Sequence, residues 1–350
     1  MGEVKGYQEF NKNFFKKYKD YEIKKNAVLE YKEDEGPNSY YKGFILEKNP
    51  DSYLYSDSFF HPLVDVYGKV TEYAEVVASD DDIFTLDFDV FNKDDISCRT
   101  KKLKIVKKIS FPELIQANIN MAEDKIINNK KDEARITITK DNAKILSNRC
   151  YVNINSNGDF AQIFSNGYSA MICSSGYLAR IGVTYDNDQI TSIGNNVMIG
   201  ATGNYTKISS SGIGAQISST GVYDTISSSG HGARINSSGI SASISSSGHR
   251  AKIMSTGEYA LISSSGSGAK ITSTGQNCVI CCAGQDSIVK AKKGSWITLS
   301  EYEFFEETDE GEAISIPTCV KTVCVDGDTI KEDTFYKLEN GEFVEVEEEE

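Results

Sequence analysis

The sequence has no run of 18 apolar residues, so it predicts no membrane span. Its first residues, MGEVKGYQEFNKNFFKKYKD, lack the apolar core of a secretory signal, and Gly2 lacks the Ser or Thr at the sixth position that favours myristoylation. Eight Cys in 350 residues do not make a disulfide framework and fit a reducing compartment. We therefore expect a soluble, cytoplasmic protein with no membrane partner.

Signals of enzyme chemistry are also scarce. The sequence has no phosphate-binding loop, no nucleophile elbow and no zinc-ligand spacing. The one candidate site is the N-terminal group His61, Asp65 and Glu75, with Tyr67 nearby, but a lone His beside carboxylates is more often structural. We predict that the protein is not an enzyme and uses no cofactor or metal, and we keep an N-terminal enzyme site as an alternative.

The net charge of −14 is distributed unevenly. Residues 1–150 hold 25 Lys+Arg and 27 Asp+Glu, residues 151–299 hold 9 and 6, and residues 300–350 hold 3 and 18. The middle is therefore slightly basic, and the C-terminal residues alone contribute −15. Because the pI is near 4.9, we do not expect nucleic acid as a partner.

What the sequence has in abundance is a nonapeptide repeat. Ile recurs every nine residues from Ile136 to Ile280, with the consensus G-x-x-A-x-I-x-S-[S/T]. Period-two alternation predicts a short strand with Ala, Ile and Ser on one face, and the Gly predicts a turn with positive φ. One unit buries almost nothing, so units must stack. We expect neighbouring coils to hydrogen-bond the buried Ser hydroxyls.

A second period shows that two units make one coil. Two residues after the Gly, large and small residues alternate, as in Tyr205, Gly214 and Tyr223. This alternation indicates 18 residues per coil. We predict a mainly β protein whose residues 134–295 form a two-sheet parallel β-solenoid of about nine coils, roughly 43 Å long at about 4.8 Å per coil.

Other chemistries of repeat proteins do not fit. The turns lack the Asp that binds calcium in β-rolls, and the outward rows lack the regular Thr-x-Thr pattern of an ice-binding face. His231 and His249 lie 18 residues apart, either as exposed turn residues or as a stacked metal pair. Alternation points Cys278 and Cys282 inward and Cys281 outward, which favours core packing over a zinc site.

Two rows are candidates for partner binding. The candidate residues are Arg180, Arg234, Lys252 and Lys270 in a basic row, and Tyr205, Tyr223 and Tyr259 in the turns. An acidic partner for the basic row could be the C-terminal tail of the same chain. The Leu261/Val279 face is less charged than the opposite face, so a homo-oligomer in which two solenoids pair through this face is a further alternative.

The flanks predict separate parts. Residues 1–110 indicate an α+β domain with strands at 84–91 and 103–109. Ser110 and Glu113 form a capping box, which predicts a helix over about 111–130 within a capping segment, 111–133, that covers the open end of the solenoid. Residues 296–344 predict a small β cap, and residues 345–350 an acidic tail.

Both flanks also resemble a known family. KGYQEFNKNF (5–14), FFHPLVDVYGKVTEYAEVVA (59–78), KLKIVKKISFPELIQA (102–117) and the ending IKEDTFYKLENGEFVEVEEEE are similar to uncharacterised phage and prophage proteins with short Gly/Ser/Ala-rich repeats. The matching residues are Phe60, His61, Pro62, Asp65, Val66, Tyr73, Ala74, Glu75 and Val76. The spacing between His61 and Pro62 is compressed relative to that pattern. The resemblance implies a protein made in an infected or lysogenic bacterium and carries no settled activity.

The sequence therefore favours a non-enzymatic binding protein. In the context that the resemblance implies, its partner would be a host protein, such as a defence nuclease complex, and binding would inhibit it. A structural or virion-associated solenoid is the alternative from a different class.

Overall fold

The computed structural model describes residues 2–10, 23–30, 44–48, 63–65, 69–84, 97–121, 127–306 and 313–347. The first part contains a seven-stranded antiparallel sheet in the order β2-β7-β4-β1-β3-β6-β5. Its strands are β1 (Glu3–Phe10), β2 (Val28–Glu30), β3 (Phe44–Glu47), β4 (Glu72–Ser79), β5 (Ile83–Phe84), β6 (Ser97–Thr100) and β7 (Lys102–Ile109). The 3₁₀ turn Asp80–Asp82 precedes β5, and helix α1 (Phe111–Met121) follows β7. Most of the strand predicted over 84–91 lies outside the described residues.

The rest of the chain winds into the predicted solenoid, with about nine coils of about 18 residues. Successive strands alternate between two sheets, which we call the even sheet and the odd sheet after the strand numbers. The even sheet contains β8 (Ile127–Asn129), β10 (Lys144–Ser147), β12 (Gln162–Ser165), β14 (Arg180–Val183), β16 (Met198–Ala201), β18 (Gln216–Ser219), β20 (Arg234–Ser237), β22 (Lys252–Ser255), β24 (Lys270–Ser273) and β26 (Ile288–Lys290). The odd sheet contains β9 (Arg135–Ile138), β11 (Asn153–Ser156), β13 (Met171–Ser174), β15 (Gln189–Ser192), β17 (Lys207–Ser210), β19 (Thr225–Ser228), β21 (Ser243–Ser246), β23 (Leu261–Ser264), β25 (Val279–Cys282) and β27 (Trp296–Glu306).

The core of the solenoid is a ladder of identical side chains. Ile217, Ile235 and Ile253 are partners in register on three parallel strands, and each is at most 2% exposed. In most repeats an Ala precedes the Ile by two positions and is buried beside it, as alternation predicted. Burying an Ile side chain contributes about 1.5–3 kcal/mol, so the ladder supplies the main favourable energy of a thin core.

The repeat glycines are needed for a different reason than the one predicted. Their φ angles are not positive; the left-handed residue stands two positions later, as in Tyr223 after Gly221. A Cβ on Gly230 would lie 1.9 Å from the carbonyl oxygen of Gly212 in the preceding coil. The Gly therefore permits close stacking of turns and does not supply a special backbone angle.

The buried serines also depart from the expectation. The hydroxyls of Ser228, Ser246 and Ser264 point inward and have no hydrogen-bond partner among the described residues. The same holds for Ser156, Ser165, Ser174, Ser192, Ser210, Ser237, Ser255 and Ser273. Equivalent serines stack about 4.8 Å apart, which is too far for a hydroxyl to reach its neighbour. Ser at this position therefore fits the core by its small volume.

Helix α1 is shorter than predicted and lies elsewhere. The capping box is confirmed, because Ser110 N donates to Glu113 Oε2 at 2.7 Å. The helix ends at Met121, and Ile127–Asn129 already form the first even strand, with Ile127 in register with Ile145. The helix packs on the outer face of the even sheet and not over the end of the solenoid. Its apolar side meets Phe164 there, and Asn118 Nδ2 donates to Gln162 Oε1 at 2.7 Å.

Two hairpins close the C-terminal end. Strand β28 (Ala313–Cys324) pairs antiparallel with β27 and becomes the edge of the odd sheet. Strands β29 (Phe335–Glu339) and β30 (Glu342–Val346) extend the even sheet in the same way. Each sheet thus changes from parallel to antiparallel pairing. Strand β30 includes Glu345, so the predicted tail begins inside an ordered strand.

Candidate functional site

The predicted basic row is largely occupied by the protein itself. Arg180 is fully buried, so it cannot belong to a partner-binding surface as predicted. Its Nη1 donates to the Leu178 carbonyl at 2.8 Å. Burial raises the pKa of Tyr73 well above its usual value, an effect that the Glu9 carboxylate increases and the Arg180 charge opposes. These three groups lie at the junction between the N-terminal sheet and the solenoid. The alternation of residues along the solenoid strand did not indicate that the N-terminal sheet would cover Arg180.

The other basic residues also have partners in the chain. Arg234 Nη1 donates to the Val64 carbonyl at 3.2 Å, and burial lowers the pKa of Arg234. Lys270 Nζ lies 4.5 Å from the centroid of the Phe335 ring, a cation–π contact with the C-terminal hairpin. Lys252 stands between them in register and is partly buried. The row is therefore a seam between the even sheet and its covering elements.

Of the N-terminal candidates, the structure describes only Asp65 and Glu75. His61 and Tyr67 lie outside the described residues. Asp65 Oδ1 accepts the backbone N–H of Lys69 at 2.9 Å. Glu75 lies on β4 near Tyr7, where burial and the Glu75 charge raise the pKa of the tyrosine.

A cleft of about 500 Å³ lies where the N-terminal domain meets the even sheet. Its walls are mainly apolar and include Val70, Ile109, Phe111, Pro112, Ala201 and Met254, and neighbouring Ser, Thr and Asn residues add hydroxyl and amide groups. Its charged lining includes Lys108 and Glu72, which form an ion pair with each other. The pair neutralises both charges within the cleft.

The predicted tyrosines lie on an exposed surface. Tyr205, Tyr223 and Tyr259 are each 53% exposed and lie in the turns that lead from even to odd strands. We call this side of the rod the tyrosine edge, defined by the left-handed residues Tyr151, Ser169, Asn187, Tyr205, Tyr223, Ser241, Tyr259 and Asn277. The Tyr205 and Tyr223 rings stack with centroids 5.4 Å apart and planes 14° apart.

The backbone holds these tyrosines in place. The N–H of Tyr205 donates to the Val222 carbonyl in the next coil at 3.0 Å, and the N–H of Tyr223 donates likewise to Ile240 at 3.0 Å. Other exposed apolar side chains, Tyr168, Tyr185 and Ile240, lie in the same turns. The edge is a preorganised row of large side chains along the rod.

The opposite edge has the same backbone and different residues. Three of its left-handed positions carry Gly214, Gly232 and Gly268, which adopt positive φ without strain. Where bulky apolar residues do occur there, they are covered: Leu178 is buried and Phe160 is half-buried. A left-handed backbone costs a residue with a Cβ about 1–2 kcal/mol. The exposed tyrosines thus stand at positions where folding alone favours Gly.

The remaining candidates are ordinary. Cys278 and Cys282 are buried and Cys281 is exposed, as alternation predicted, and all eight cysteines are free. His231 and His249 are exposed turn residues, and His249 Nδ1 lies 2.6 Å from Ser267 Oγ. Glu345 of the predicted tail pairs with Lys331. Among the described residues, no three His, Cys, Asp or Glu side chains gather as metal ligands, and no helix is long and apolar enough to cross a membrane.

Comparison with known proteins gives no relative. No family model, no curated protein and no solved structure matches the chain.

Proposed function

We propose that this protein is a non-enzymatic binding protein that engages a partner protein through the tyrosine edge. The observation that carries the proposal is that Tyr205, Tyr223 and Tyr259 are exposed at left-handed positions, whereas Gly occupies three of the equivalent positions on the opposite edge. Residues held in strained conformations on a surface point to a role beyond folding.

Tyrosine suits this role physically. It offers a large, rigid contact area with few rotatable bonds, and it is enriched among residues that dominate protein interfaces. Here the inter-coil hydrogen bonds of Tyr205 and Tyr223 fix the backbone in advance. Little conformational entropy is then lost on binding, because the row is already ordered.

The partner that we propose is a host protein in a bacterium that carries the phage or prophage, and binding would inhibit it. The resemblance of the flanks to phage and prophage proteins supports this context. A defence complex is one such target. The C-terminal hairpins disfavour the structural alternative, since they end the parallel stacking of both sheets and leave no repeat for the next subunit of a fibre.

The experiment compares three versions of the tagged protein in the host bacterium. The test variant replaces Tyr205, Tyr223 and Tyr259 by Gly, and the control is Arg250→Gly, which alters an exposed left-handed residue on the opposite edge. We expect one stoichiometric partner with the wild type and with Arg250→Gly, and none with the triple variant. Equal recovery of that partner by the triple variant, with matching circular dichroism, would disprove the proposal.

A further inference from the structure

The outer face of the odd sheet differs from that of the even sheet in what covers it. On the even sheet, the outward apolar residues Leu146, Phe164 and Met198 are buried beneath the N-terminal domain. On the odd sheet, Leu261, Val279 and Trp296 also point outward, and they are 56%, 49% and 51% exposed. They are partners in register on adjacent strands, so they form one continuous apolar row.

Charge is nearly absent from this face. We call it the odd face, and it has three columns of side chains, which are the first and third residues of each odd strand and the residue that follows the strand. In these three columns, from β19 to β28, the outward residues are Thr225, Ser227, Ser229, Ser243, Ser245, Ser247, Leu261, Ser263, Ser265, Val279, Cys281, Ala283, Trp296, Thr298, Ser300, Val320, Thr322 and Cys324. None of them is charged, whereas 25% of the chain is.

The face is also complementary to itself. The apolar row occupies the first column, and a groove of about 310 Å³ runs beside the other two, lined mainly by serines from Ser209 to Ser265 with Cys281 and Ala283. A two-fold axis parallel to the rod exchanges the first column with the outermost one. It therefore places the apolar row of each copy over the groove side of the other.

We propose that a second copy of this chain binds the odd face, about a two-fold axis that runs along the central column. A net charge of −14 repels two copies wherever charged surfaces meet, and the odd face avoids that repulsion. Lys207, the charge nearest the groove, would lie opposite Ser211 of the second copy and not opposite a like charge.

The size of the face is adequate. The 11 strands of the odd sheet, spaced about 4.8 Å apart, and about five residues across, give roughly 850 Å² per copy. A stable interface buries about 800 Å² per partner, so the face suffices for a specific dimer without other contacts. This inference is independent of the partner proposed for the tyrosine edge.

The first test is the mass of the full-length protein in solution. We expect light scattering after gel filtration to give twice 38.6 kDa at high concentration and a shift toward the monomer on dilution. Trp296 is the only tryptophan, so its fluorescence emission should shift to shorter wavelength as the dimer forms. A monomer at every concentration up to about 200 μM, above the Kd of a specific interface of this size, would overturn the proposal.

The second test places a charge on the face. Val279→Lys should weaken dimerisation at least tenfold, because the Lys would be desolvated opposite the second copy. The matched control is Ile240→Lys, an apolar residue of 48% exposure on the tyrosine edge, which should leave dimerisation unchanged. The reverse result would move the interface to the edge and overturn the proposal. Val279→Lys should keep the partner of the tyrosine edge, so the two proposals fail separately.

The third test fixes the arrangement. Cys173 and Cys281 are the exposed cysteines, and both lie in the central column. In a Cys173→Ser background, Cys281 of the two copies would face each other across sheets about 10 Å apart. A short bis-maleimide should then produce a covalent dimer that is absent in the Cys281→Ser variant. A dimer that forms without this cross-link would overturn the proposed axis.

Discussion

Each buried residue of a repeat is copied along the whole solenoid, so a small energetic cost at one position recurs many times. The inward serines show this clearly. Ser246 is buried, and its hydroxyl has no partner among the described residues. A buried hydroxyl without a partner costs about 1–3 kcal/mol.

Ser246→Ala should therefore raise the unfolding free energy by about 1 kcal/mol, because Ala fills nearly the same volume without a polar group. The neighbouring Ile244→Ala should lower it by about 2–5 kcal/mol through the cavity it creates. Urea unfolding of the two variants checks both signs. A loss of stability in Ser246→Ala would show that the hydroxyl has a stabilising partner.

Asp188 is a second residue with an unfavourable site. It is fully buried at a position where most repeats have Ala, and its Oδ1 accepts the Ala170 N–H at 2.7 Å. Burial, with a contribution from the Asp186 charge, raises the pKa of Asp188 to about 8. Its unfolded-state pKa is about 3.9. Between these values the folded chain holds a proton that the unfolded chain has released.

Between about pH 4 and pH 8, the contribution of Asp188 to the unfolding free energy should therefore fall by about 1.4 kcal/mol per pH unit. Above pH 8 this contribution should be lost. Asp188→Asn keeps an acceptor for Ala170 and cannot ionise, so its unfolding free energy should change less between pH 6 and pH 8.5. The expected gain over the wild type at pH 8.5 is several kcal/mol. Parallel pH profiles for the two proteins would contradict this account.

At the scale of the element, each turn must stack closely on the turn before it. The turn at 229–233 contains two glycines with different roles, one that allows close stacking of coils and one that adopts a left-handed backbone. Gly230 has ordinary φ but no room for a Cβ, whereas Gly232 has φ of +68° and open space around it.

Gly230→Ala should be strongly destabilising, by more than 3 kcal/mol, because the Cβ would force the coils apart. Gly232→Ala should cost only about 1–2 kcal/mol, the price of a left-handed residue with a Cβ. Thermal unfolding monitored by circular dichroism measures the difference. Equal effects would contradict the separation of roles.

At the scale of the whole molecule, the N-terminal domain depends on a gap in the even sheet. Gly182 lies beneath α1, where a Cβ would approach the Cα of Pro112 to 2.8 Å. Its partners in register are Phe164 on one side and Gly200 on the other, and a Cβ on Gly200 would also come within 3.0 Å of the Phe111 ring.

Gly182→Leu should displace α1 without unfolding the solenoid, because the inward Ile ladder is unchanged. We expect faster proteolysis of the N-terminal domain while the solenoid resists cleavage. Thr272→Leu, in the same outward column away from the helix, is the control. Equal proteolysis of both variants would show that the domain does not need this gap.

The sequence by itself determined the solenoid. A strict nine-residue period of Ile, with an 18-residue period in the turns, leaves few ways to bury the Ile except stacked coils. The inward and outward directions of Cys278, Cys281 and Cys282 followed from the same alternation. The period also extended to Ile127, which the prediction placed within the helix over about 111–130.

The tertiary structure alone decided which outward surfaces are covered. Arg180 and Lys252 stand in equivalent positions of the repeat, yet one is buried and the other is partly exposed, because only the docking of α1 and its domain distinguishes the coils. Docking involves contacts between residues far apart in the chain, such as Arg234 with Val64, and periodicity carries no information about these. For the same reason, only the structure shows that the basic row is covered by other parts of the chain, whereas the tyrosine edge and the odd face are exposed to solvent.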